Sequence, residues 1–529
     1  MAPAPPPPQP PSAVLSRALA VSSDIWQTEL KNLFDQAKTR YPDVVWDMVA
    51  DDDDHLEEIW GHKAIVYARA PPSFQARYFT PRTTSSNSPT PYSAQHLLPA
   101  QSTLSLSLPP ADGRPGSRSP SPFGAPQRTQ SPVPSTGSGI LLRIPLAMNP
   151  ALFSNELEYL YTGKGMGQAF EFLFDTSAEN GQTKRTDSVI ETERIEKLRK
   201  DLVYMWRSRL YSDVRITLTG TFSSSNNEVA TAVFSSHRFI LVSRVPYFRT
   251  LLSSTYAPVG QNISSANPLA LSLPSPPFTP ASLHFTLGFV YTGTMAFSHR
   301  NWDLDTAFHI IRSAKYLQLD TLDSEASARI IEDMMHGLFH AYLPFDEYER
   351  IIQGKWGEGG CKCKQCQRRA PRVLEFALGD DIRDNIMERG AQRALVGMFG
   401  EGWATSEFLS LPLRLKNNLL KGVKNRTNPR NIIPLLQATA AGLSKLSTNS
   451  TPAADAVKEL VLQARKNIDE VLGGSLEEFF EQPEWVALLE NDGQRFGDMD
   501  KFEMVLESIR RGLTETNAGP VYQASKTHP

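Results

Sequence analysis

The segment most informative about the fold is Ser236-His237-Arg238-Phe239-Ile240-Leu241-Val242-Ser243-Arg244-Val245-Pro246-Tyr247-Phe248. Before it, residues 214–219 alternate strictly between apolar and polar side chains, a pattern that predicts a half-buried strand. A second short strand over 229–233 precedes the histidine, and an apolar segment after the stretch ends in Tyr291-Thr292-Gly293. These signals together predict one compact unit of strands and short helices across 211–325.

The same signals occur earlier in the chain and in the same order. Both copies have an amphipathic helix, an Asp-Val strand start, a His followed by a basic residue, a Pro-x-Phe element and a Tyr-Thr-Gly ending. The first copy carries them as Asp43-Val44, Gly61-His62-Lys63, Pro72-Ser73-Phe74 and Leu160-Tyr161-Thr162-Gly163. Because a repeated order of this kind defines the folding unit, we predict two related units.

The second copy is similar to the BTB/POZ domain family through Ser212-Asp213-Val214, Ser236-His237-Arg238, Val245-Pro246-Tyr247-Phe248 and Phe289-Val290-Tyr291-Thr292-Gly293. The first copy resembles the family more loosely. The resemblance implies a small three-stranded sheet capped by helices, which pairs with copies of itself and docks partner proteins, and which carries no catalytic residues. The structural motif positions that it implies in this chain are Asp43, His62, Tyr161, Gly163, Asp213, His237, Phe248, Tyr291 and Gly293.

We therefore expect an α+β fold with two tandem BTB/POZ units, followed by an all-helical region and interrupted by disordered Pro/Ser-rich segments. In this family a helical region after the BTB domain resembles the BACK-type extension, although no motif here assigns it. The expected divisions are a Pro-rich arm at 1–20, a first unit at 24–175 with a disordered insertion at 80–138, a linker and helix at 176–210, the second unit at 211–325, the helical region at 326–515 and a tail at 516–529.

Each unit is preceded by a predicted amphipathic helix, at 24–37 and at 191–209. In BTB proteins the corresponding helix lies at the dimer interface. Two copies on one chain have a high effective concentration, which favours pairing within the chain over a homodimer. The residues expected at this domain-pairing interface are Trp26, Leu30, Phe34, Leu198 and Leu202.

All three cysteines of the chain lie together, as Cys361-Lys362-Cys363-Lys364-Gln365-Cys366. Cys363 and Cys366 have the spacing with which two thiolates hold one zinc ion, and Cys361 is a candidate third ligand. His336 or His340 is the nearest candidate for the fourth. A mobile basic loop with free thiols is the alternative, and the neighbouring lysines would lower the thiol pKa values in a redox site. Apart from this zinc, the sequence indicates no cofactor.

Composition excludes several classes of protein. The formal net charge of −3 over 529 residues provides no general attraction to nucleic acid or to an anionic membrane. Transmembrane spans are not expected, because no long uninterrupted apolar stretch occurs, and the Pro- and Ala-rich first residues do not resemble a secretory signal. With only three cysteines, a disulfide framework is not expected. These features predict a cytoplasmic or nuclear protein.

The function expected from the resemblance is that of a non-enzymatic scaffold or adaptor that binds proteins through its BTB surfaces. Two versions stay open: a substrate adaptor that binds a cullin in a RING ubiquitin ligase, and a transcription- or chromatin-linked assembly factor. The first lacks the hydrophobic-x-Glu element at 251–258, and the second lacks a zinc-finger array. An unrecognised enzyme is the opposing class, but the chain has no phosphate-binding loop, Gly-x-Ser-x-Gly or His-Glu-x-x-His motif.

Overall fold

The computed structural model describes residues 13–49, 56–79, 141–164, 187–222, 229–253, 263–357, 360–448, 451–490 and 497–527. Within these ranges the chain divides into two compact bodies. The N-terminal body is formed by Ser16–Ala326, and the C-terminal body by Ser327–Pro529 with the residues up to Leu15. The insertion expected at 80–138 lies outside the described residues. None of the described helices is long and apolar enough to cross a membrane.

The N-terminal body contains two units that repeat one order of elements. The elements of the first unit are α1 (Ala13–Asp35), β1 (Val44–Val49), β2 (Leu56–Gly61), α2 (Lys63–Arg69), α3 (Pro72–Tyr78), β3 (Leu142–Leu146) and α4 (Pro150–Thr162). Those of the second are α5 (Asp187–Arg207), β4 (Val214–Gly220), β5 (Ala230–Ser236), α6 (Arg238–Arg244), α7 (Pro246–Ser253), β6 (Leu269–Leu273), α8 (Pro280–Thr292) and α9 (Leu304–Leu317). We call α1 and α5 the leading helices.

The two sheets have the same topology. In each, the first strand is central, pairs antiparallel with the second and parallel with the third, so the orders are β2-β1-β3 and β5-β4-β6. The register is equivalent: Val44 lies opposite Gly61 and Leu142, and Val214 lies opposite Ser236 and Leu269. The alternation predicted for the second unit is present in β4, whose Val, Ile and Leu side chains are buried while Arg215 and Thr219 are exposed.

The Tyr-Thr-Gly endings are helix C-termini. Gly163 ends α4 with a φ of 68°, and Gly293 ends α8 with a φ of 69°. Both values lie in the left-handed region that glycine adopts without a steric cost from Cβ, and in each unit the glycine N–H closes the last helical turn. The glycines therefore direct the chain away from the helix at equivalent places.

The two chain termini differ from the sequence-based expectation. Helix α1 begins at Ala13, so the N-terminal arm expected to be disordered over 1–20 is helical in its last part. The Pro-rich run ends at Pro11, and the following residues are mostly Ala, Val, Leu and Ser without Gly or Pro, so nothing in them stops helix formation. At the other end the expected tail at 516–529 contains a helix, Ala518–Thr527.

In its described residues the C-terminal body contains helices and loops but no strand, in agreement with the predicted all-helical region. After α10 (Asp320–Arg329), which begins in the N-terminal body, comes a π-helical turn at Ile330–Met334. The longer helices that follow are α11 (Phe345–Ile352), α12 (Lys364–Ala377), α13 (Asn385–Gly397), α14 (Leu413–Arg426), α15 (Ile432–Ser447), α16 (Pro452–Gly474), α17 (Pro483–Glu490), α18 (Asp498–Gly512) and α19 (Ala518–Thr527).

In the sequence, Thr451-Pro452 and Gly473-Gly474 predict the start and end of α16, and Ser475 with Glu478 predicts a capping box for the next short helix. The limits of α16 are correct, whereas the capping box is not present. Thr451 caps α16 by accepting a hydrogen bond from the Ala454 N–H, and Pro452 occupies the first helical position. Ser475 precedes Leu476–Phe480, but its side chain makes no capping hydrogen bond, so the predicted capping box with Glu478 does not form. Ser475 follows α16 directly, and its backbone N–H bonds to the Leu472 carbonyl of that helix.

Candidate functional site

Each unit of the N-terminal body contains the same buried contact between a histidine and a tyrosine. The His62 Nδ1 lies 2.6 Å from the Tyr161 Oη, and its Nε2 lies 2.8 Å from the Arg40 carbonyl. In the second unit the His237 Nδ1 lies 2.6 Å from the Tyr291 Oη. Its Nε2 lies 2.7 Å from the Leu210 carbonyl. Since a carbonyl only accepts, Nε2 carries the proton and Nδ1 accepts from the tyrosine hydroxyl.

Burial keeps both imidazoles neutral. Both histidine side chains are fully buried. Desolvation lowers the pKa of His62 to about 4 and lowers the pKa of His237 in the same direction. Because each ring uses both nitrogens inside the fold, neither histidine can serve as a general base for a bound substrate.

An aspartate before each central strand binds the start of the helix after the histidine. The Asp43 Oδ1 accepts a hydrogen bond of 2.7 Å from the Lys63 N–H, and the Asp213 Oδ1 accepts one of 2.8 Å from the Arg238 N–H. Asp213 also forms an ion pair of 2.6 Å with the Arg238 guanidinium. Burial raises the pKa of Asp43 to about 6. The aspartate of the Asp-Val motif therefore joins strand and helix, because its carboxylate lies at the positive N-terminal end of the helix dipole.

The leading helices contact the opposite units. From α1, the Trp26 Nε1 donates to the Tyr291 carbonyl at 3.0 Å, and the Ser22 hydroxyl donates to the Gly293 carbonyl at 2.7 Å. Both acceptors belong to the second unit. Conversely, Leu198 of α5 packs against Gly163 of the first unit. Its Cδ2 lies 3.7 Å from the position that a Cβ on Gly163 would occupy, which is an ordinary van der Waals distance. Each Tyr-Thr-Gly ending thus contacts the helix that leads the other unit, in addition to contacts with its own leading helix.

A buried arginine in each unit is also paired with the opposite leading helix. Arg69, seven residues after His62, forms an ion pair of 3.3 Å with Asp201 of α5. Arg244, seven residues after His237, forms an ion pair with Glu29 of α1. The two arginine side chains are only 4% and 3% exposed, so the charges are held inside the fold rather than at its surface. We call these two ion pairs the crossed ion pairs.

The same arginines also bind the end of the Tyr-Thr-Gly helix in their own unit. Arg69 donates to the carbonyls of Tyr159 and Leu160, and Arg244 donates to the Val290 carbonyl at 3.0 Å. Burial lowers the pKa of Arg244 to about 9, so the guanidinium remains charged at neutral pH. Sequence reasoning missed both arginines, although their shared position seven residues after the histidine is visible in the repeat.

Aromatic contacts join the two units at a third place. The rings of His62 and Phe239 are stacked with centroids 4.2 Å apart. The Tyr41 ring lies 4.5 Å from the Arg238 guanidinium carbon, and its hydroxyl donates to the Leu252 carbonyl at 3.0 Å. Contacts of this kind bury apolar surface and satisfy polar groups across the boundary between the units.

The five residues expected at the pairing interface have different surroundings. Trp26 and Leu198 contact the opposite unit, as described above. Leu30 and Leu202 are each 1% exposed on the two leading helices. The Phe34 ring instead lies 5.4 Å from the Tyr161 ring of its own unit, and is only half-buried.

The C-terminal body brings the three cysteines and one histidine together. The donor atoms of His336, Cys361, Cys363 and Cys366 all lie within 4.8 Å of one another. The His336 Nδ1 lies 3.1 Å from the Cys361 Sγ, 3.9 Å from the Cys363 Sγ and 3.4 Å from the Cys366 Sγ. His340, the other candidate, is not part of this group. We call the four residues the Cys3His cluster.

Backbone N–H groups are directed at two of the sulfurs. The Cys363 N–H donates to the Cys361 Sγ at 3.5 Å, and the Cys366 N–H donates to the Cys363 Sγ at 3.4 Å. The second of these hydrogen bonds makes Cys363 the N-cap of α12 and is the largest cause of its lowered pKa. Burial raises the pKa of the Cys366 thiol. The pKa of Cys363 therefore moves in the expected direction, with a backbone hydrogen bond as its largest cause, whereas the pKa of Cys366 moves in the opposite direction.

His336 reaches the cluster from an unusual backbone segment. His336, Leu338, Phe339 and His340 have positive φ values between 36° and 52°, and Gly337 between them has a φ of 89°. A left-handed conformation costs a residue with a Cβ about 1–2 kcal/mol. Leu338 and Phe339 are nearly fully buried, and the Phe339 ring fills the space beside Gly360, where a Cβ would be 1.9 Å from its Cε2. The surrounding packing thus holds this turn beside the cysteines.

Comparison with known proteins identifies one of the two units. The sequence model of the BTB/POZ domain family matches residues 206–333, a range that contains β4 to α10. No curated protein sequence matches the chain. BTB/POZ domains are protein-interaction modules, and the histidine, tyrosine, aspartate and glycine positions of the second unit lie inside the matched range. This chain therefore carries a BTB/POZ domain at residues 206–333.

Proposed function

We propose that the chain is a non-catalytic protein-interaction scaffold, in which two BTB/POZ units pair with each other inside one molecule. The first unit supports this proposal because it repeats the strand order, the His–Tyr contact, the Asp-to-helix hydrogen bond and the glycine C-cap of the matched domain. The observation that carries the proposal is the pair of crossed ion pairs, Arg69 with Asp201 and Arg244 with Glu29.

The crossed ion pairs have the form of a self-complementary interface. In a two-fold dimer each surface contacts its equivalent on the partner, so every contact occurs twice. Here the equivalent arginines each bind a carboxylate from the leading helix of the other unit, within one chain. Covalent linkage makes this association intramolecular, which favours it over pairing between chains. The pairing surface is then used inside the molecule, and partner proteins bind elsewhere.

The histidines support the non-catalytic part of the proposal. Both imidazoles are buried and use both nitrogens, and the fully buried tyrosine hydroxyls face them. In this arrangement the histidine and tyrosine side chains form a structural hydrogen-bond network rather than an acid–base pair.

Light scattering at micromolar concentration tests the pairing. The wild-type protein should have the mass of one chain. Leu30→Glu places a charge at a position that is 1% exposed on α1, so it should lower the unfolding midpoint without changing that mass. Asn32→Glu, at an exposed position on the same helix, is the matched control and should leave both properties unchanged. A stable wild-type dimer that Leu30→Glu converts into a folded monomer would contradict intrachain pairing.

The two versions of the scaffold predict different partner proteins. A cullin recovered with the affinity-purified chain would identify a ubiquitin-ligase adaptor, although the 251–258 segment has no Glu. Recovery of chromatin or transcription complexes would identify the alternative. Mass spectrometry of the purified material identifies which of these partners is recovered. The Asn32→Glu protein is the control, and this exposed substitution should keep every genuine partner.

A further inference from the structure

We propose that His336, Cys361, Cys363 and Cys366 bind one structural zinc ion in the C-terminal body. The four donors are three thiolates and one imidazole, a ligand set that closed zinc sites use. They come from two chain segments, the left-handed turn after the π-helical turn and the start of α12. A bound ion would therefore join these segments through a single centre.

The spacing of the donors fits one tetrahedral ion. Zn–S and Zn–N bonds of roughly 2.3 and 2.05 Å at the tetrahedral angle place nitrogen and sulfur about 3.6 Å apart. The three distances from the His336 Nδ1 to sulfur are 3.1, 3.9 and 3.4 Å, which lie on both sides of that value. All donors lie within 4.8 Å of one another, so they surround one point and leave no room for a multinuclear iron–sulfur cluster.

The surroundings of the donors also fit a metal site. The N–H groups of Cys363 and Cys366 point at the sulfurs of Cys361 and Cys363, and such hydrogen bonds stabilise metal-bound thiolates. The Arg369 guanidinium donates to the Met334 carbonyl at 2.9 Å, which holds α12 beside the turn that carries His336. These contacts hold the ligand-bearing segments together, and preorganised ligands lower the entropic cost of binding.

Zinc is favoured over other ions by the donor chemistry. Three thiolates exclude the hard ions magnesium and calcium, which prefer oxygen ligands. A site with four protein ligands has no open position for water, so its role is structural rather than catalytic. The ion would hold the strained turn at 336–340 against the helix that follows, in place of a disulfide.

The experiment uses full-length protein with no histidine tag, purified with a non-thiol reductant. Elemental analysis should find about one zinc per chain. His336→Ala should lose nearly all of it, whereas His340→Ala, at a nearby left-handed position outside the cluster, should retain it. Metal-free wild-type protein, or zinc in His336→Ala at the wild-type level, would overturn the proposal.

Thiol alkylation of the wild-type protein gives a second readout that does not depend on whether a variant folds. All three cysteines of the chain lie in the cluster, so whole-protein mass spectrometry counts them directly. Alkylation of all three should be slow, and a strong chelator should accelerate it at least tenfold, in step with zinc release. Fast alkylation without chelator, or a mass two units low from a disulfide, would show that no zinc site forms.

Discussion

The two units of the N-terminal body share their polar contacts but differ in their cores. The central strand of the first unit carries Trp46, whose ring meets those of Phe79 and Phe153 at centroid distances of 5.6 and 5.1 Å. The second unit has Ile216 at the equivalent place, three residues after the aspartate. A core accepts different apolar shapes that fill its volume, whereas a buried hydrogen bond needs specific atoms at specific distances. The repeat is therefore visible in its polar residues.

The chain between the third helix and third strand is a second difference. In the first unit it runs from Tyr78 to Leu142, and in the second from Ser253 to Leu269. Both third strands nevertheless pair parallel to the central strand in the same register. Loop closure entropy grows only slowly with length, so a long connection is compatible with an unchanged sheet. The family model matches the second unit alone, and the first unit differs from it both in its core and in the length of this connection.

The largest expected effect comes from breaking the crossed ion pairs. Arg69→Ala and Arg244→Ala each leave a carboxylate and helix carbonyls without their partner, so each should lower the free energy of unfolding by about 3–5 kcal/mol. Urea denaturation measures this, with Arg215→Ala on the exposed face of β4 as the control. Equal losses would support the equivalence of the two ion pairs, and a loss below about 1 kcal/mol for either arginine would contradict it.

The His–Tyr contacts should give a smaller and unequal effect. Tyr161→Phe and Tyr291→Phe remove the hydroxyl that satisfies a buried imidazole, at a cost of about 1–3 kcal/mol. The Tyr161 hydroxyl also accepts from the His62 backbone N–H at 2.9 Å, whereas the Tyr291 hydroxyl has an additional contact with the Ser236 hydroxyl, which can rotate. Thermal and urea unfolding should therefore show the larger loss for Tyr161→Phe. The opposite order would contradict the larger contribution assigned to the Tyr161 hydroxyl.

The smallest expected effect is a pH dependence that differs between the units. Both histidine pKa values are lowered in the fold, so their stabilising contribution is complete above the unfolded value of 6.5 and is lost as pH falls toward the folded value, about 4 for His62. In the first unit Asp43 opposes this change. Its pKa is raised from 3.8 to about 6, so the folded state binds its proton more tightly and is stabilised by acid in that window.

Asp43→Asn separates the two contributions, because the amide oxygen can still accept from the Lys63 N–H. Between pH 7 and 5.5 the wild-type protein should lose stability on the order of 1 kcal/mol, and the variant should lose more. Urea titrations at the two pH values measure both slopes. If the variant is less sensitive to acid than the wild type, the assignment of opposing signs to His62 and Asp43 is wrong.

Local patterns predicted the elements, while contacts between distant segments were not predictable in detail. The alternation in β4, the limits of α16 and the Tyr-Thr-Gly endings follow from periodicity and from capping residues. The crossed ion pairs depend on which unit each leading helix contacts, and no local pattern carries that information. The choice of His336 rather than His340 depends on a left-handed turn whose residues are not glycine at four of its five positions. Side-chain packing of Leu338 and Phe339 overrides the local preference there.

The crossing of the leading helices has a consequence for the synthesis of the protein. Helix α1 emerges from the ribosome before the rest of both units, and the Tyr291 carbonyl that Trp26 binds lies 265 residues later. At about 5–20 residues per second, α1 waits for some tens of seconds before its binding site exists. During that time the apolar side chains of α1 that pack against the second unit are available to chaperones. Packing of α1 against the second unit is thus a late event, and a ribosome that stalls between the units leaves α1 without that partner.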